Sequence, residues 1–266
     1  KAAIGVVVAL IAAFIFLGGV KRIASFTEKV VPIMAAFYIL GCIAILFINH
    51  AALIPAIKSI FVCAFNPQAM LGGAVGIGVR EAMRYGVARG LFSNEAGMGS
   101  TPHAHALAKV EKPQDQGVIA MIGVFIDTFI VLTLTALVIL TSGELQAGVE
   151  GALQGTALAQ AAFTAAFGKF GNIFVAICML FFAFSTIIGW YFFGEQNVKA
   201  LFGKNAVKVY SLIVVACVML GSFLKVQLVW NLSDLFNALM VFPNLVALLA
   251  LSGIVAKAAH DHDIMK

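Results

Sequence analysis

A short run of helix-breaking residues interrupts an otherwise very hydrophobic chain at residues 89–102, which read RGLFSNEAGMGSTP. Glycine, serine, asparagine and proline surround a single carboxylate there, that of Glu95. A backbone that leaves the helical conformation inside a membrane frees N–H and C=O groups, and these are tolerated only where protein or a water-filled cavity satisfies them. A hydrophobic helix broken in this way is the sequence feature that best indicates the binding site of a transporter.

The composition places most of the chain in a membrane. Of its 266 residues, 62% are hydrophobic and 11% are charged, and the mean hydropathy is +1.04. Soluble domains are about 45–50% apolar and about 25% charged. The net charge of +5 comes from basic residues scattered singly between hydrophobic segments, which is typical of membrane topology rather than of nucleic-acid binding. We therefore expect an all-α, multi-pass protein of the cytoplasmic membrane, in contact with lipid and without a nucleic-acid partner.

Hydrophobic segments near the length of about 20 residues that a membrane span needs predict the crossings. These segments are residues 3–20, 30–48, 116–141, 170–193, 209–224 and 226–256. Between them we expect a charged connector at 21–29, a surface helix at 49–70, a re-entrant or surface helical hairpin at 142–169 and a basic loop at 194–208. Residues 71–110 are expected to form one crossing that is broken at 90–99, with a second short helix from residue 99 to residue 110.

Basic residues alternate between two sets of connections, and this alternation gives an orientation. One set holds Lys21, Arg22, Lys29, Lys109, Lys112, Lys199, Lys204, Lys208, Lys257 and Lys266, and the other holds only Lys58, Lys169 and Lys225. The positive-inside rule assigns the first set to the cytoplasm. The alternation works only if residues 71–110 count as one crossing, so the charge pattern independently favours a broken helix centred on residues 92–97.

The two helix ends at such a break carry opposite partial charges. Carbonyl groups of residues 90–93 suit an ammonium group, and N–H groups of residues 97–100 suit an anion. A zwitterion such as an amino acid would use both, whereas the alternative is a kink that neighbouring side chains fill. Glu95 and Asp127 either bind a coupling ion or satisfy loose backbone groups.

Two adjacent hydroxyls, those of Ser185 and Thr186, lie in a second apolar stretch. Hydroxyl oxygens together with backbone carbonyls suit Na⁺, although each hydroxyl can also bond back to its own helix. Trp190 lies one turn beyond Thr186 and either walls a pocket or lies at the membrane interface.

Nothing in the sequence indicates catalysis or a bound metal. His103 and His105 are two residues apart and point in different directions on a helix, and the four cysteines have no paired spacing. No serine–histidine–aspartate or cysteine–histidine pattern stands out. We therefore expect neither an enzyme nor a cofactor.

The residues of the broken segment resemble a known signature. Residues 89–106, RGLFSNEAGMGSTPHAHA, resemble that of the alanine or glycine:cation symporter family, the sodium:alanine symporters. Residues 123–128 (GVFIDT), 184–190 (FSTIIGW), 54–55 (IP) and 64–67 (AFNP) are similar to other blocks of that family. The resemblance covers essentially the whole chain, which is similar to the C-terminal portion of a prokaryotic member.

The resemblance implies a leucine-transporter-type fold, in which two inverted repeats each begin with a broken helix. Residues 1–48 would be the last two helices of the first repeat, 49–70 an extracellular surface helix, 71–256 the second repeat and 257–266 a cytoplasmic tail. The chain would then lack the first helices of repeat one, and the missing N-terminal part of the same polypeptide would complete the site.

The resemblance also implies a sodium-coupled symporter that carries alanine or glycine by alternating access. The substrate-binding residues would be Phe92, Ser93, Asn94, Gly97, Met98 and Trp190. The co-transported Na⁺ would lie at Ser185, Thr186 and the backbone carbonyl of Phe182. Glu95 and Asp127 would have coupling or structural roles. The alternative is a proton-coupled amino-acid carrier, with an ion channel less favoured.

Overall fold

The structure, a computed structural model, describes residues 2–65, 79–95, 97–146, 149 and 151–260. These residues form helices and contain no strand. The helices are α1 (Ala2–Phe16), α2 (Gly19–Ile48), α3 (His50–Phe65), α4 (Val79–Asn94), α5 (Pro102–His105), α6 (Pro113–Phe125), a π-helical segment (Ile126–Leu132), α7 (Thr133–Ser142), α8 (Gly155–Phe167), α9 (Lys169–Phe202), α10 (Ala206–Gly221) and α11 (Val226–His260). Much of the predicted surface helix at 49–70 is helical as α3, and residues 66–78 lie outside the described part.

Among the described residues, four helical stretches are long and apolar enough to cross a membrane. They are Gly19–Ile48, Pro113–Ser142, Lys169–Phe202 and Val226–Ala258, with mean hydropathies of 2.6, 2.4, 2.4 and 2.2. The second stretch comprises α6, the π-helical segment and α7. The expectation of an all-helical protein with several membrane spans is therefore confirmed.

The start of α2 differs from the expected charged connector at residues 21–29, which was wrong because these residues are helical. Lysine, arginine and glutamate are good helix formers, so their charges do not end a helix. The chain instead turns at the first residue of α2, Gly19, which adopts a φ of +67°, a conformation open to glycine. Arg22 Nη1 donates a hydrogen bond to the Phe14 carbonyl at 2.6 Å, which ties the start of α2 to α1.

The end of α9 also differs from expectation, because the helix continues through most of the predicted basic loop at 194–208. Gly194 does not end the helix here. The Tyr210 side chain of α10 fills the space that a Cβ at Gly194 would need, so this glycine permits a close approach of two helices. The helix ends just before Gly203, which has a φ of +80°.

Two other expected elements are shorter than predicted. The stretch from residue 99 to residue 110 holds one helical turn, α5, instead of a longer helix. Pro102 suits the first turn of a helix, and Pro113 disfavours the helical conformation in the residue before it. The hairpin expected at 142–169 is a single helix, α8, among the residues of that stretch that the structure describes.

Two compact units make up the chain, and each has a core of its own. Unit one comprises residues 1–30, 95–123 and 183–266. Its core joins residues of α1, α2 and α9, namely Ala12, Ile15, Phe16, Ile23, Phe184, Ile188 and Tyr191. The rings of Phe16 and Tyr191 stack with their centroids 3.7 Å apart, which fixes α1 against α9.

Unit two comprises residues 31–94 and 124–182. Its core joins α2, α7, α8 and α9 through Cys42, Ile45, Val138, Ala162, Phe163, Phe174, Val175 and Cys178. The Phe163 and Phe174 rings stack at 5.2 Å. Tyr38 and Thr135 share a hydrogen bond of 2.7 Å between their hydroxyl groups, so α2 and α7 are joined by a polar contact as well as by packing.

Candidate functional site

In unit two, α4 ends at Asn94, in the middle of the helix-breaking run. Ser93 Oγ donates a hydrogen bond to Asp127 Oδ2 at 2.8 Å, and Thr128 Oγ1 donates to Asn94 Oδ1 at 2.8 Å. Two adjacent residues at the end of α4 are therefore bonded to two adjacent residues of the π-helical segment. We call this four-residue arrangement the α4 clamp.

The α4 clamp uses both polar ends of the Asn94 amide. Asn94 Nδ2 donates to the Gly90 carbonyl at 2.9 Å, while Oδ1 accepts from Thr128. The last four carbonyls of an α-helix have no partner within the helix, and in α4 these belong to residues 91–94. They carry the partial negative charge of the helix end, so this end suits an ammonium group or a cation.

The π-helical segment brings Asp127 and Thr128 to the clamp. It packs against α4, and it interrupts the helical crossing formed by α6 and α7. Turns of this kind are rare and occur often at functional sites. The sequence did not predict the segment, and the only available signal was the aspartate and the threonine inside a hydrophobic run.

In unit one, the chain leaves the break through a tight turn. Glu95 has a φ of +53°, which is unusual for a residue other than glycine and costs about 1–2 kcal/mol. Its carboxylate accepts a hydrogen bond from Ser100 Oγ at 2.7 Å, and its carbonyl accepts one from the Met98 N–H at 3.3 Å. Met98 and Ser100 are each only 3% exposed. The structure therefore gives Glu95 a partner that stabilises the turn.

Asn244 of α11 forms a hydrogen bond with the backbone of the same turn. Its Nδ2 donates to the Gly97 carbonyl at 2.9 Å. Gly97 and Gly99 have φ values of +78° and +86°, and a Cβ at Gly99 would lie 3.0 Å from the Asn244 Cβ. Asn244 was not among the residues predicted from the sequence to belong to the site. It is one of four amide side chains on α11, so no signal in the sequence distinguished it.

The model of the sodium:alanine symporter family matches residues 1–266, which is the whole of this chain. The chain belongs to the sodium:alanine symporter family. Its members are transporters, and membership relates the chain to symporters. Together with the four apolar spans, it identifies a multi-pass membrane protein.

Individual relatives support the same assignment. An uncharacterized transporter of Haemophilus influenzae is 42% identical over 258 residues, which cover 97% of this chain and 56% of the relative. The sodium/alanine symporter AgcS of Methanococcus maripaludis is 41% identical, with 94% and 54% covered. The probable sodium/glutamine symporter GlnT of Bacillus subtilis is 41% identical, with 97% and 53% covered. The chain thus spans about half the length of the curated relatives that it matches.

The other residues predicted for this symporter family member lie on α9 and α4. Ser185 and Trp190 are half-buried and Thr186 is exposed, all in the part of α9 that belongs to unit one. The Trp190 ring meets the Phe193 ring edge-on at 6.0 Å. Phe182 lies one turn earlier on α9, and Phe92 is half-buried near the end of α4. Their roles in binding substrate or sodium stay predictions.

A cavity of about 630 Å³ opens in unit one beside α5. It is lined by Pro102, His105, Ala106, Ala108, Val110, Glu111, Pro113, Gln116, Gly117 and Ala120. Gln116 Nε2 and His105 Nδ1 lie 2.8 Å apart at its wall. The lining includes none of the residues predicted to bind substrate or sodium, so the cavity is separate from the predicted site.

Proposed function

We propose that this chain is part of a sodium-coupled symporter that takes up alanine or glycine by alternating access. The observation that carries the proposal is the α4 clamp. α4 stops at Asn94, and its last side chains are bonded to Asp127 and Thr128. The last four carbonyls of a helix have no partner within it. Family membership supports an amino acid and a cation as the transported species.

The substrate ammonium group is assigned to the end carbonyls of α4, near Phe92 and Ser93. Asn94 contributes its backbone, because both ends of its amide are already used. Gly97 and Met98 follow on the other side of the break, and Trp190 and Phe92 limit the size of the substrate side chain. A relative named for glutamine supports the idea that the residues bounding the pocket decide which neutral amino acid fits.

The sodium ion is assigned to Ser185, Thr186 and the Phe182 carbonyl, three oxygen-bearing groups within one turn of α9. Transporters with broken helices bind Na⁺ with such combinations of carbonyls and side-chain oxygens. Sodium binding would stabilise the outward-open state and prepare the substrate site. Coupling then follows, because an ion that favours one state raises the affinity of a substrate that binds the same state.

The proposal includes a leucine-transporter-type fold with inverted repeats. Residues 1–48 would end the first repeat, 49–70 would lie on the extracellular surface, 71–256 would form the second repeat and 257–266 a cytoplasmic tail. Because the chain spans about half of its relatives' length, the remaining part of the polypeptide would supply the rest of the site, including most of the contacts to the substrate carboxylate.

Uptake of labelled alanine and glycine by the full-length protein in proteoliposomes tests this function. An inward sodium gradient should drive saturable accumulation, and replacing Na⁺ by K⁺ should abolish it. A proton gradient without sodium is the control for a proton-coupled carrier. Flux that neither saturates nor responds to any ion gradient would indicate a channel. Equal accumulation with and without sodium would contradict the proposal.

A further inference from the structure

α9 buries a carboxylate that none of the predicted roles uses. Glu195 is 6% exposed, and its Oε2 has no hydrogen-bond partner among the described residues. An ionised carboxylate that is buried without a partner is very unfavourable, so such a group is paired, bonded or neutral. Within the apolar part of a membrane protein, an ionisable side chain is a functional hypothesis by default.

The hydroxyl groups close to Glu195 already donate their protons elsewhere. Ser211 Oγ donates to the Val207 carbonyl at 2.8 Å. The 2.6 Å contact between Ser211 Oγ and the Tyr191 hydroxyl therefore has Tyr191 as its donor. Tyr210 donates to the Tyr191 carbonyl at 3.3 Å. Neither tyrosine is left with a proton for the Glu195 carboxylate.

Among the residues that the structure describes, few charged or titratable groups lie around Glu195. Tyr191 and Lys199 lie one turn before and one turn after it on α9, and Tyr210 lies on α10; all three interact with it electrostatically. α1 packs against this part of α9 and carries no charged residue. On α5, His103 lies against the ring of Phe193, with its Nε2 3.2 Å from Asn197 Oδ1.

Arg22, a charged group of the first turn of α2, donates to the Phe14 carbonyl of α1. Lys199, the cation that interacts with Glu195, has an exposed side chain. Water can therefore stabilise the lysine charge, whereas the buried carboxylate oxygen has no comparable stabilisation.

Two other carboxylates at the break provide a direct comparison. Glu95 accepts a hydrogen bond from Ser100 Oγ at 2.7 Å, and Asp127 accepts one from Ser93 Oγ at 2.8 Å. Each of these two carboxylates therefore has a hydrogen-bond donor at hand. Glu195 combines deep burial with an oxygen that lacks a donor, so its surroundings favour the neutral acid.

We propose that Glu195 is a proton-binding site of this transporter, occupied when the α9–α10 contact is closed and emptied when that contact opens to water. Water-borne H⁺ adds to the carboxylate oxygen to form the neutral acid, and the same O–H bond breaks when the proton returns to water. The inference rests on the proposed symport function, because it makes the transport cycle depend on this protonation.

The direction of the pH effect follows from the geometry. Deprotonation at high pH leaves a bare charge that must be buried before α9 and α10 can close, so alkaline conditions slow the cycle. Uptake by the unaltered protein should fall as the pH rises from 6 to 9, even at saturating sodium. A single ionisation of this kind changes the rate by at most about tenfold per pH unit.

The test compares E195Q with the unaltered full-length protein in proteoliposomes, at saturating sodium and alanine, across this pH range. The neutral amide keeps the shape of the protonated acid, so uptake by E195Q should vary by less than about twofold where the unaltered protein falls severalfold. E195D, which keeps an ionisable group, should retain the pH dependence. E111Q, which removes an exposed carboxylate, is the matched control and should retain it too.

Each result has a defined meaning. An unchanged pH profile in E195Q, or uptake by the unaltered protein that does not depend on pH, overturns the proton site while leaving symport intact. Loss of uptake at every pH in both E195Q and E195D also overturns it and indicates an ion pair with a cation elsewhere in the polypeptide. Absence of sodium-driven uptake in the unaltered protein would instead be a failure of the proposed function.

Discussion

Glu95 and Asp127 look alike in the sequence, since each is a lone carboxylate in an apolar stretch, but their partners differ in kind. Glu95 bonds to Ser100, five residues away in the same turn, and thereby supports a strained backbone at φ +53°. Asp127 bonds to Ser93, which lies 34 residues away on another helix. The role of Glu95 is local, whereas Asp127 connects two helical elements. Substitution of Asp127 should therefore affect the geometry of the α4 end more directly than substitution of Glu95.

Thr186→Ala is expected to raise the sodium concentration for half-maximal alanine uptake by roughly tenfold or more. A polar contact to a charged group contributes about 1.5–3 kcal/mol, and about 1.4 kcal/mol corresponds to a factor of ten in affinity. The apparent affinity for alanine at saturating sodium should change less. Sodium-activation curves of uptake into proteoliposomes measure both quantities.

Thr27→Ala is the matched control for that substitution. The Thr27 hydroxyl donates to the Ile23 carbonyl of its own helix at 3.0 Å, so its loss should leave the sodium response unchanged. If Thr186→Ala behaves like Thr27→Ala, the Thr186 hydroxyl does not bind sodium and only bonds to its helix.

The α4 clamp predicts an interaction between two helical elements that a double-mutant cycle can measure. Ser93→Ala and Asp127→Asn should each reduce the efficiency of alanine uptake, and the double variant should be little worse than the more damaging single one. Residues in direct contact typically show coupling energies of about 0.5–3 kcal/mol. Initial uptake rates at low alanine concentration give the four values that the cycle requires.

Tyr38→Phe and Thr135→Ala form a comparable cycle at another hydrogen-bonded pair of unit two, 2.7 Å apart. That pair should be coupled in thermal stability but not in uptake efficiency. Strictly additive effects of Ser93→Ala and Asp127→Asn on uptake would contradict the idea that the clamp sets the geometry of the helix end.

Gly171→Ala should destabilise unit two, because the added Cβ would overlap the backbone carbonyl of Phe163 where α8 and α9 pack together. Backbone atoms cannot move aside as a flexible side chain can. Overpacking of this kind typically costs about 1–3 kcal/mol, which is several degrees in Tm for a protein of this size. Thermal unfolding in detergent measures the effect, and Gly253→Ala, with nothing within 4 Å, is the control.

Local chemistry decided which elements the sequence could predict. The end of α4 was predictable because glycine, serine, asparagine and proline disfavour a helix wherever they occur together. The extent of α9 was not predictable, because the close approach of Tyr210 from another helix, which leaves no room for a Cβ at Gly194, cannot be read from the residues next to this glycine. The π-helical segment and the role of Asn244 were not predicted for the same reason. Their hydrogen bonds join Thr128 to Asn94 and Asn244 to Gly97, residues that are far apart in the chain.

Across the whole molecule, the hydrophobic composition was readable from the sequence, because a membrane imposes it on every residue of a crossing. The number of spans was not confirmed, since seven crossings were expected and four helical stretches among the described residues are long and apolar enough to cross a membrane. The family was readable as well, because its signature surrounds the break. The division into two units could not be predicted from the sequence. Its boundaries lie at 30/31, 94/95, 123/124 and 182/183, and three of them fall within a continuous helical stretch. The assignment of each helix end to one side of the membrane depends on the charge pattern. This assignment can be tested on one helix.

α9 has 34 residues, which at about 1.5 Å per residue make it about 51 Å long, whereas the hydrocarbon core of a bilayer is about 30 Å thick. A helix of this length that crosses the bilayer has its two ends on opposite sides. The positive-inside rule places Lys204, just beyond one end, in the cytoplasm and Lys169, at the other end, outside. Both lysines are exposed. In the full-length protein without native cysteines, Lys169→Cys should react with an impermeant maleimide in intact cells, while Lys204→Cys should react only after permeabilisation. The opposite labelling would reverse the orientation, and equal labelling in intact cells would show that α9 does not span the membrane.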